Sequence, residues 1–198
     1  MPRFTIDEFL KMEREAEFRS EYIQGEIVAM SGGIPTHAIL GTTVCSHLEQ
    51  QLRDKPCTVA GSDLRLCCLP VDVLTYPDVV VFCEPIRYLD GTDDTLSDAV
   101  LIVEVLSKST RNYDRGEKFR FYRTLPSFSE YLLLAQDEIR AEHHARQSDG
   151  SWIFREWTAK ESVIHLNSIG CKLVLGDLYL KTPLGRPPQQ AETETALQ

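Results

Sequence analysis

Apolar residues recur along the chain either at helical spacing or in short continuous runs, and this mixture predicts a domain with both helices and strands. Helical spacing over FTIDEFLKMEREAEF predicts a first helix, with Thr5 as its N-cap. A second helix is predicted over THAILGTTVCSHLEQQLR, with Thr36 as its cap. A third helix follows the most apolar run of the chain and begins between Thr110 and Asp114.

Short apolar runs predict the strands. VVVFC and AVLIVEVL are almost wholly apolar, which is typical of central strands covered on both faces. The other predicted strands are CTVAG, SDLRLCCL, EYLLLAQ and a strand pair or bent strand in EYIQGEIVAM, with Gly25 at its turn.

The second half of the chain carries a hairpin pattern. IRAEHHAR alternates between apolar and polar residues, and a DG turn at residues 149–150 separates it from WIFREWT. The whole pattern predicts one α/β (or α+β) domain over residues 1–181. Residues 182–198 are rich in proline and poor in bulky apolar residues, which predicts a disordered tail.

Composition and charge narrow the class of protein. The chain has 198 residues, 42% of them hydrophobic and 26% charged, so it is long enough for one well-packed core. Its longest uninterrupted apolar runs have five residues, whereas a membrane span needs about 20. Its start carries acids where a secretory signal has an apolar stretch. We therefore expect a cytoplasmic protein with no membrane partner.

The six cysteines form no CxxC pair, and two of them are adjacent. Neither spacing is typical of a metal site or of a relaxed disulfide. We therefore expect reduced thiols, most of them in the core, in a reducing cytoplasm.

The net charge of −9 argues against a protein that coats nucleic acid. Its distribution is uneven, because residues 107–123 carry six basic and two acidic side chains, which leaves −13 on the rest. This basic segment is either a phosphate-binding strip or a solvated helix face.

Two carboxylates stand out because of their apolar surroundings. Glu104 interrupts the run AVLIVEVL, and Asp78 precedes VVVFC. Burying an unpaired carboxylate costs several kcal/mol, so each needs a compensating cation. If their strands are neighbours, the pair offers oxygen ligands of the kind that Mg²⁺ prefers. The alternative is a buried ion pair with a basic residue of the following helix, namely Arg111, Arg115 or Lys118.

Lys118 lies one helical turn from Asp114 and from Tyr122. At the boundary between the packed face and the strand ends, a lysine can stabilise an attacking water or the charge that develops on a phosphate. Asp114 and Glu117 also have the spacing of a capping box, which would start the helix late.

Several of these segments occur together in a known family. The ordered set YPDVVVFCEP, LIVEVLSKST, NYDRGEK and EYLLL, with EYIQGEIVAM upstream and DGSW downstream, resembles the Uma-type restriction endonuclease family of bacteria. That family belongs to the PD-(D/E)xK nuclease superfamily. The resemblance covers roughly residues 4–181. It implies a restriction-endonuclease-like mixed central sheet flanked by helices, here with the added C-terminal β-hairpin.

The resemblance also implies roles for residues. Asp78 and Glu104 match the two acids that hold a divalent metal, Mg²⁺ or Mn²⁺. The superfamily usually places its lysine two residues after the second acid, where this chain has a leucine, and the Uma-type pattern instead places it on the helix, at Lys118. Glu21, His37 and Asp114 match positions with supporting roles. Lys108 stands where related proteins often have proline, and it is either a second lysine near the site or a surface charge.

These residues lead to a first hypothesis, a Mg²⁺- or Mn²⁺-dependent endonuclease that hydrolyses DNA phosphodiester bonds as a homodimer, because two-fold symmetry suits cleavage of a duplex. The alternative is a non-catalytic relative that binds nucleic acid or protein, which the acidic balance favours. A hydrolase that acts on sugars with a carboxylate pair ranks last, because it leaves the lysine and the basic strip unused.

Overall fold

The computed structural model describes residues 3–30 and 32–185, which fold around one six-stranded sheet. The helices are α1 (Ile6–Glu15), α2 (Pro35–Leu52), α3 (Arg111–Tyr113), α4 (Phe119–Tyr122) and α5 (Leu175–Tyr179), with a 3₁₀ turn at Leu69–Val71. A π-helical turn, Asp114–Lys118, joins α3 to α4. The strands are β1 (Ser20–Ile23), β2 (Glu26–Ala29), β3 (Cys57–Gly61), β4 (Arg65–Cys68), β5 (Val73–Thr75), β6 (Val79–Cys83), β7 (Thr95–Leu96), β8 (Leu101–Leu106), β9 (Glu130–Ala135), β10 (Ala141–Arg146), β11 (Trp152–Trp157), β12 (Val163–Leu166) and β13 (Cys171–Val174).

The strands form two mixed sheets and a separate hairpin. The central sheet has the order β11-β10-β9-β8-β6-β3, with β8 and β9 parallel and the other neighbours antiparallel. The second sheet has the order β2-β1-β5-β4-β7. The predicted central strands VVVFC and LIVEVL are indeed β6 and β8, and they are adjacent.

The core lies on both faces of the central sheet, as the continuous apolar runs predict. On one face, α2, α5 and the β12–β13 hairpin pack against the sheet, with Leu40 and Leu48 among the buried residues that α2 contributes. On the other face, α4 and the second sheet bury Ile102 and Leu133. Strand β1 therefore lies on the same side of the central sheet as the helix that carries Lys118.

The structure confirms the predicted N-cap of the first helix but not that of the second. Thr5 caps α1 in a capping box with Glu8. Thr36 does not cap α2, because that helix begins at Pro35 after Ile34, and no side chain caps it. A proline at the first position of a helix has no N–H to satisfy, so α2 can begin there without a capping side chain.

The expectation that all six cysteines are thiols is wrong for two of them. Cys57 and Cys83 are direct partners across β3 and β6 and form a disulfide, with their Cα atoms 3.9 Å apart. They are 26 residues apart in the chain, so neither CxxC spacing nor adjacency reveals the pair. Cys67, Cys68 and Cys171 are buried thiols, as expected.

The β12–β13 hairpin has no counterpart among the predicted elements. Buried Glu130 of β9 holds it in place, because this carboxylate accepts hydrogen bonds from the backbone N–H groups of Asn167 and Ser168, each at 3.0 Å. Burial acts to raise the pKa of Glu130, but hydrogen bonds from His143 and Ser168 outweigh it and lower this pKa.

The predicted disordered tail begins at residue 182, and the structure describes its first four residues. Of the predicted tail, Thr182 is fully buried and donates a hydrogen bond to the Tyr179 carbonyl at 2.7 Å, while residues 186–198 lie outside the described part.

No helix within residues 3–30 and 32–185 has the length and apolar character of a membrane span.

Candidate active site

The two carboxylates singled out by the sequence converge where β6 and β8 pair. Val79 is opposite Val103 in this antiparallel pair, so Asp78, just before β6, comes next to Glu104. The Val105 N–H donates to Asp78 Oδ2 at 2.7 Å. The Asp78 N–H points to Glu104 Oε2 at 3.4 Å. The predicted convergence of these two side chains is therefore present.

Lys118 lies directly over Glu104. The helix begins at Arg111, so the late start that a capping box would cause does not occur, and Asp114 lies inside the π-helical turn. Lys118 Nζ is 3.1 Å from Glu104 Oε1, 3.2 Å from Glu21 Oε1 and 3.8 Å from Asp114 Oδ1. The lysine is buried, and three carboxylates from three elements surround it.

Tyr122 also belongs to the cluster, although its place in the sequence indicated only that it lies one helical turn from Lys118. Its hydroxyl donates a hydrogen bond to Glu104 Oε1 at 2.7 Å and lies 3.2 Å from Thr75 Oγ1. Tyrosine in place of phenylalanine at a fully buried position signals a polar partner for the hydroxyl. That signal was available at Tyr122, one turn after Lys118.

His37 and Asp78 form the more open edge of the cluster. His37 Nε2 is 3.3 Å from Asp78 Oδ2, and the two side chains are 24% and 17% exposed. The hydrogen bond with Asp78 raises the pKa of His37. Burial acts to raise the pKa of Asp78, but the bond with His37, the bond from the Val105 N–H and the nearby positive charges together outweigh it, so this pKa is lowered. Asp78 therefore stays ionised at the solvent-facing side.

The cluster holds more acidic than basic side chains. Glu21, Asp78, Glu104 and Asp114 lie around the ammonium of Lys118. Burial raises the pKa of Glu104 to about 8 and also raises that of Asp114. Burial opposes the charge of Lys118, but the carboxylates outweigh it and raise its pKa well above the usual value. Since burial disfavours the ionised form of two of these acids, a further cation in the cluster would favour that form.

Each of the two central carboxylates keeps one oxygen for such a cation. Glu104 Oε1 is occupied by Lys118 and Tyr122, while Oε2, over residues 3–30 and 32–185, has only the long contact to the Asp78 N–H. Asp78 Oδ2 is occupied by His37 and Val105, and Oδ1 makes no hydrogen bond within the described residues. An all-oxygen pair of this kind fits a hard divalent cation such as Mg²⁺.

The protein contributes only part of a coordination shell. Over residues 3–30 and 32–185, no three acidic, histidine or cysteine side chains are arranged to hold a metal by themselves. Asp78 and Glu104 would therefore supply two ligands and leave the remaining positions to water and substrate, as is usual for Mg²⁺.

The basic segment is less available for phosphate than its sequence indicates. Lys118 is inside the cluster, and Arg115 forms a two-pronged ion pair with Glu142 at 2.8 and 2.7 Å. Arg111 is 3.9 Å from Asp137. Lys108 is exposed. Lys118, Arg115 and Arg111 are therefore engaged with acids of the protein itself, which reduces the charge that the segment offers to a phosphate.

A mixed central sheet with paired acids on neighbouring strands and a lysine on the following helix defines a restriction-endonuclease-like fold. The chain belongs to the Uma2 family, described as "Putative restriction endonuclease", whose model matches residues 6–178.

Two relatives and one solved structure resemble this chain over most of its length. "Uncharacterized protein sll1609" of Synechocystis sp. is 34% identical over 163 residues, 82% of this chain and 92% of the relative. "Uncharacterized protein slr1290" of the same organism is 33% identical over 182 residues, 90% of this chain and 92% of the relative. The crystal structure of a putative nuclease belonging to DUF820 from Anabaena variabilis has a TM-score of 0.74 and 19% identity, with 89% of this chain and 97% of that chain covered. At this identity the structural likeness shows the fold alone.

Proposed function

We propose that this protein is a Mg²⁺- or Mn²⁺-dependent endodeoxyribonuclease, a hydrolase that cleaves DNA phosphodiester bonds. Asp78 and Glu104 would hold the metal, and Lys118 would assist the chemistry. The observation that carries the proposal is the surplus of buried carboxylates around one lysine, with one oxygen of each central carboxylate left for a cation. Family membership supports the same activity.

The residues of the cluster divide the work in this mechanism. Water attacks phosphorus, a new P–O bond forms, the bond to the 3′ oxygen breaks, and that oxygen takes a proton, leaving a 5′-phosphate and a 3′-hydroxyl. A divalent cation, when bound, polarises the phosphate and acidifies water. Lys118 orients the attacking water and stabilises the charge that develops on the phosphate. Glu21 and Asp114 keep this ammonium charged and in place.

The activity test is nicking of supercoiled plasmid DNA by the purified chain. We expect nicked and linear product with Mn²⁺ or Mg²⁺ and none with EDTA. The exposed Glu117, next to Lys118, provides a matched control, because Glu117→Gln changes a charge on the same helix outside the cluster. We expect this variant to cleave like the wild type. An intact, metal-loaded chain that cleaves neither duplex nor single-stranded DNA would contradict the proposal.

A non-catalytic binding module is the second candidate function. The net charge of −9 and the internal ion pair of Arg115 leave little general attraction for duplex DNA. This function predicts metal-independent binding of nucleic acid or protein with no product formed.

The assembly and location belong to the same proposal. A homodimer would present two copies of the site to the two strands of a duplex. A cytoplasmic location would bring the protein to DNA.

The Tyr122 hydroxyl provides a further test of the metal site. Together with Lys118 it occupies Oε1 of Glu104 and so turns Oε2 toward Asp78. Groups that orient a metal ligand typically change affinity by about 10- to 100-fold when removed. We expect Tyr122→Phe to weaken Mn²⁺ binding in calorimetry by about this factor.

Tyr131→Phe is the control for this prediction. Tyr131 is equally buried, but its hydroxyl donates to the Asp114 carbonyl at 3.0 Å and not to Glu104. We expect its Mn²⁺ affinity to stay within about twofold of the wild type, since no orienting contact to a ligand is lost. Equal weakening in both variants would show that loss of any buried hydroxyl loosens the site, and would refute the orienting role.

A further inference from the structure

A group of aromatic side chains outside the carboxylate cluster lies on one face of the β10–β11 hairpin. His144 and Phe154 are direct partners across these strands, with ring centroids 5.1 Å apart. Phe119 of α4 lies 4.6 Å from His144 and 5.0 Å from Trp152. We call Phe119, His144, Trp152 and Phe154 the aromatic platform.

The platform is only partly covered by the protein. Phe154 at its outer end is 53% exposed, and Trp152, His144 and Phe119 are half-buried. A phenylalanine with this exposure next to other aromatic rings offers a flat apolar surface on which a further ring can stack.

A cation lies beside these rings. The Arg123 guanidinium is 4.9 Å from the centre of the Phe119 ring, and Arg123 is exposed. Within residues 3–30 and 32–185 it forms no ion pair, unlike Arg115 and Arg111 of the same basic segment. Its charge is therefore available to an anion that lies over the platform.

The platform is close to the carboxylate cluster. Phe119 directly follows Lys118 in the chain, and both lie on the side of the central sheet that carries Glu104. Phe154 is on β11, three strands from β8 in the sheet order. At about 4.8 Å per strand, this places it roughly 15 Å from Glu104 across the sheet. One strand of nucleic acid can therefore span both places.

We propose that the aromatic platform binds an unpaired base of a nucleic-acid strand, with Arg123 contacting a phosphate of the same strand. Aromatic rings next to a basic side chain are the usual means of holding single-stranded nucleic acid, because every base has a face that stacks. This inference rests on the proposed nuclease function and specifies its substrate as DNA with a single-stranded segment beside the cleaved bond.

The test is binding of a fluorescein-labelled oligodeoxythymidine of about 12 nucleotides, within the usual site size for single strands, to the full chain. Binding is measured by anisotropy in EDTA so that no cleavage occurs. Stacking on one aromatic residue is worth about 1–3 kcal/mol, so we expect Phe154→Ala to raise Kd by about 5- to 150-fold. Ile153→Ala is the matched control, because Ile153 is the neighbouring residue of β11, is 39% exposed and points to the opposite face. It should leave Kd within twofold.

Arg123→Gln separates the phosphate contact from stacking. For single strands, each neutralised phosphate contributes about 0.7 to the slope of log K against log salt. We expect Arg123→Gln to lower the steepness of this slope by about that amount, and Phe154→Ala to leave it unchanged.

Three results would overturn the inference. The first is an unchanged Kd in Phe154→Ala. The second is an equal change in Ile153→Ala, which would indicate general loosening of β11. Self-association that disappears in Phe154→Ala while oligonucleotide binding persists would assign the platform to a second copy of the chain and also overturn it. Phe154-dependent binding without cleavage in Mn²⁺ would support the platform and contradict the nuclease proposal, so the two failures are distinguishable.

Discussion

Asp78→Asn and Glu104→Gln are each expected to abolish Mn²⁺ binding in calorimetry while leaving the protein folded. Each substitution replaces one of the two carboxylates whose second oxygen is available for a cation. An amide oxygen carries no charge, and the remaining carboxylate alone is a poor site for a hard divalent ion. The change is therefore from measurable binding to none.

Stability provides an independent readout for the same variants. In the absence of metal, burial raises the pKa of Glu104 to about 8, so near pH 7 this side chain favours its neutral form. Glutamine has the shape of that neutral form. We therefore expect the unfolding free energy of Glu104→Gln in EDTA to equal or exceed that of the wild type.

Mn²⁺ binding that persists in both Asp78→Asn and Glu104→Gln would contradict the first prediction, because the cation would then bind elsewhere.

Lys118→Met is expected to have the second large effect, with opposite consequences for binding and chemistry. Mn²⁺ binding should persist, because both carboxylate ligands remain. DNA cleavage should fall by about 100- to 1,000-fold, the usual cost of removing a group that stabilises charge in the transition state.

The same variant should also depend on metal for its stability. Removing one partner of a buried ion pair costs about 3–5 kcal/mol, because the other charge stays buried and unpaired. Lys118 compensates Glu21 and Asp114 in this way even where Glu104 is neutral. We expect urea denaturation of Lys118→Met to show a loss of this size in EDTA and a partial recovery in saturating Mn²⁺.

Arg120→Met is the control for the lysine variant, since Arg120 is exposed on the same helix and its contact to Glu117 is 3.9 Å long. It should change neither stability nor cleavage appreciably. If Lys118→Met lost the same stability with and without Mn²⁺, the metal would not be replacing the positive charge that the lysine supplies to these carboxylates. That result would contradict the arrangement proposed for the site.

Part of this site could be predicted from the residues alone. Glu104 in an apolar strand and Asp78 before another had to meet if the strands were neighbours, because β6 and β8 then bring them to one row of the sheet. The physical signal was local, since a carboxylate inside an apolar run demands a partner. The same argument predicted that Lys118 belongs to the site and is not an ordinary surface lysine.

Other members of the cluster lie too far apart in the chain for such an argument. Glu21 on β1 reaches Lys118 only because the second sheet packs on the same face of the central sheet, and His37 reaches Asp78 from the first turn of α2. Their expected positions came from the family resemblance. The hydroxyl of Tyr122 was not predicted to belong to the site, because a tyrosine one helical turn from Lys118 has the spacing of an ordinary core residue as well.

The disulfide and the last hairpin were missed for a related reason. Cys57 and Cys83 become neighbours only through the register of β3 with β6, which no local spacing reveals. The β12–β13 hairpin is held by a carboxylate of β9, so its place depends on a contact between distant parts of the chain.

The bond from the Val105 N–H to Asp78 Oδ2 ties the candidate metal site to the ladder of the central sheet. Because alternate residues of a strand point to opposite faces, a slip of β8 by one residue would turn Glu104 into the opposite core and bring a valine to Lys118. The distance between the two carboxylates is thus set by the most buried strands of the molecule. We therefore expect the two acids to remain side by side for as long as β6 and β8 stay paired, and to separate when that pairing is lost.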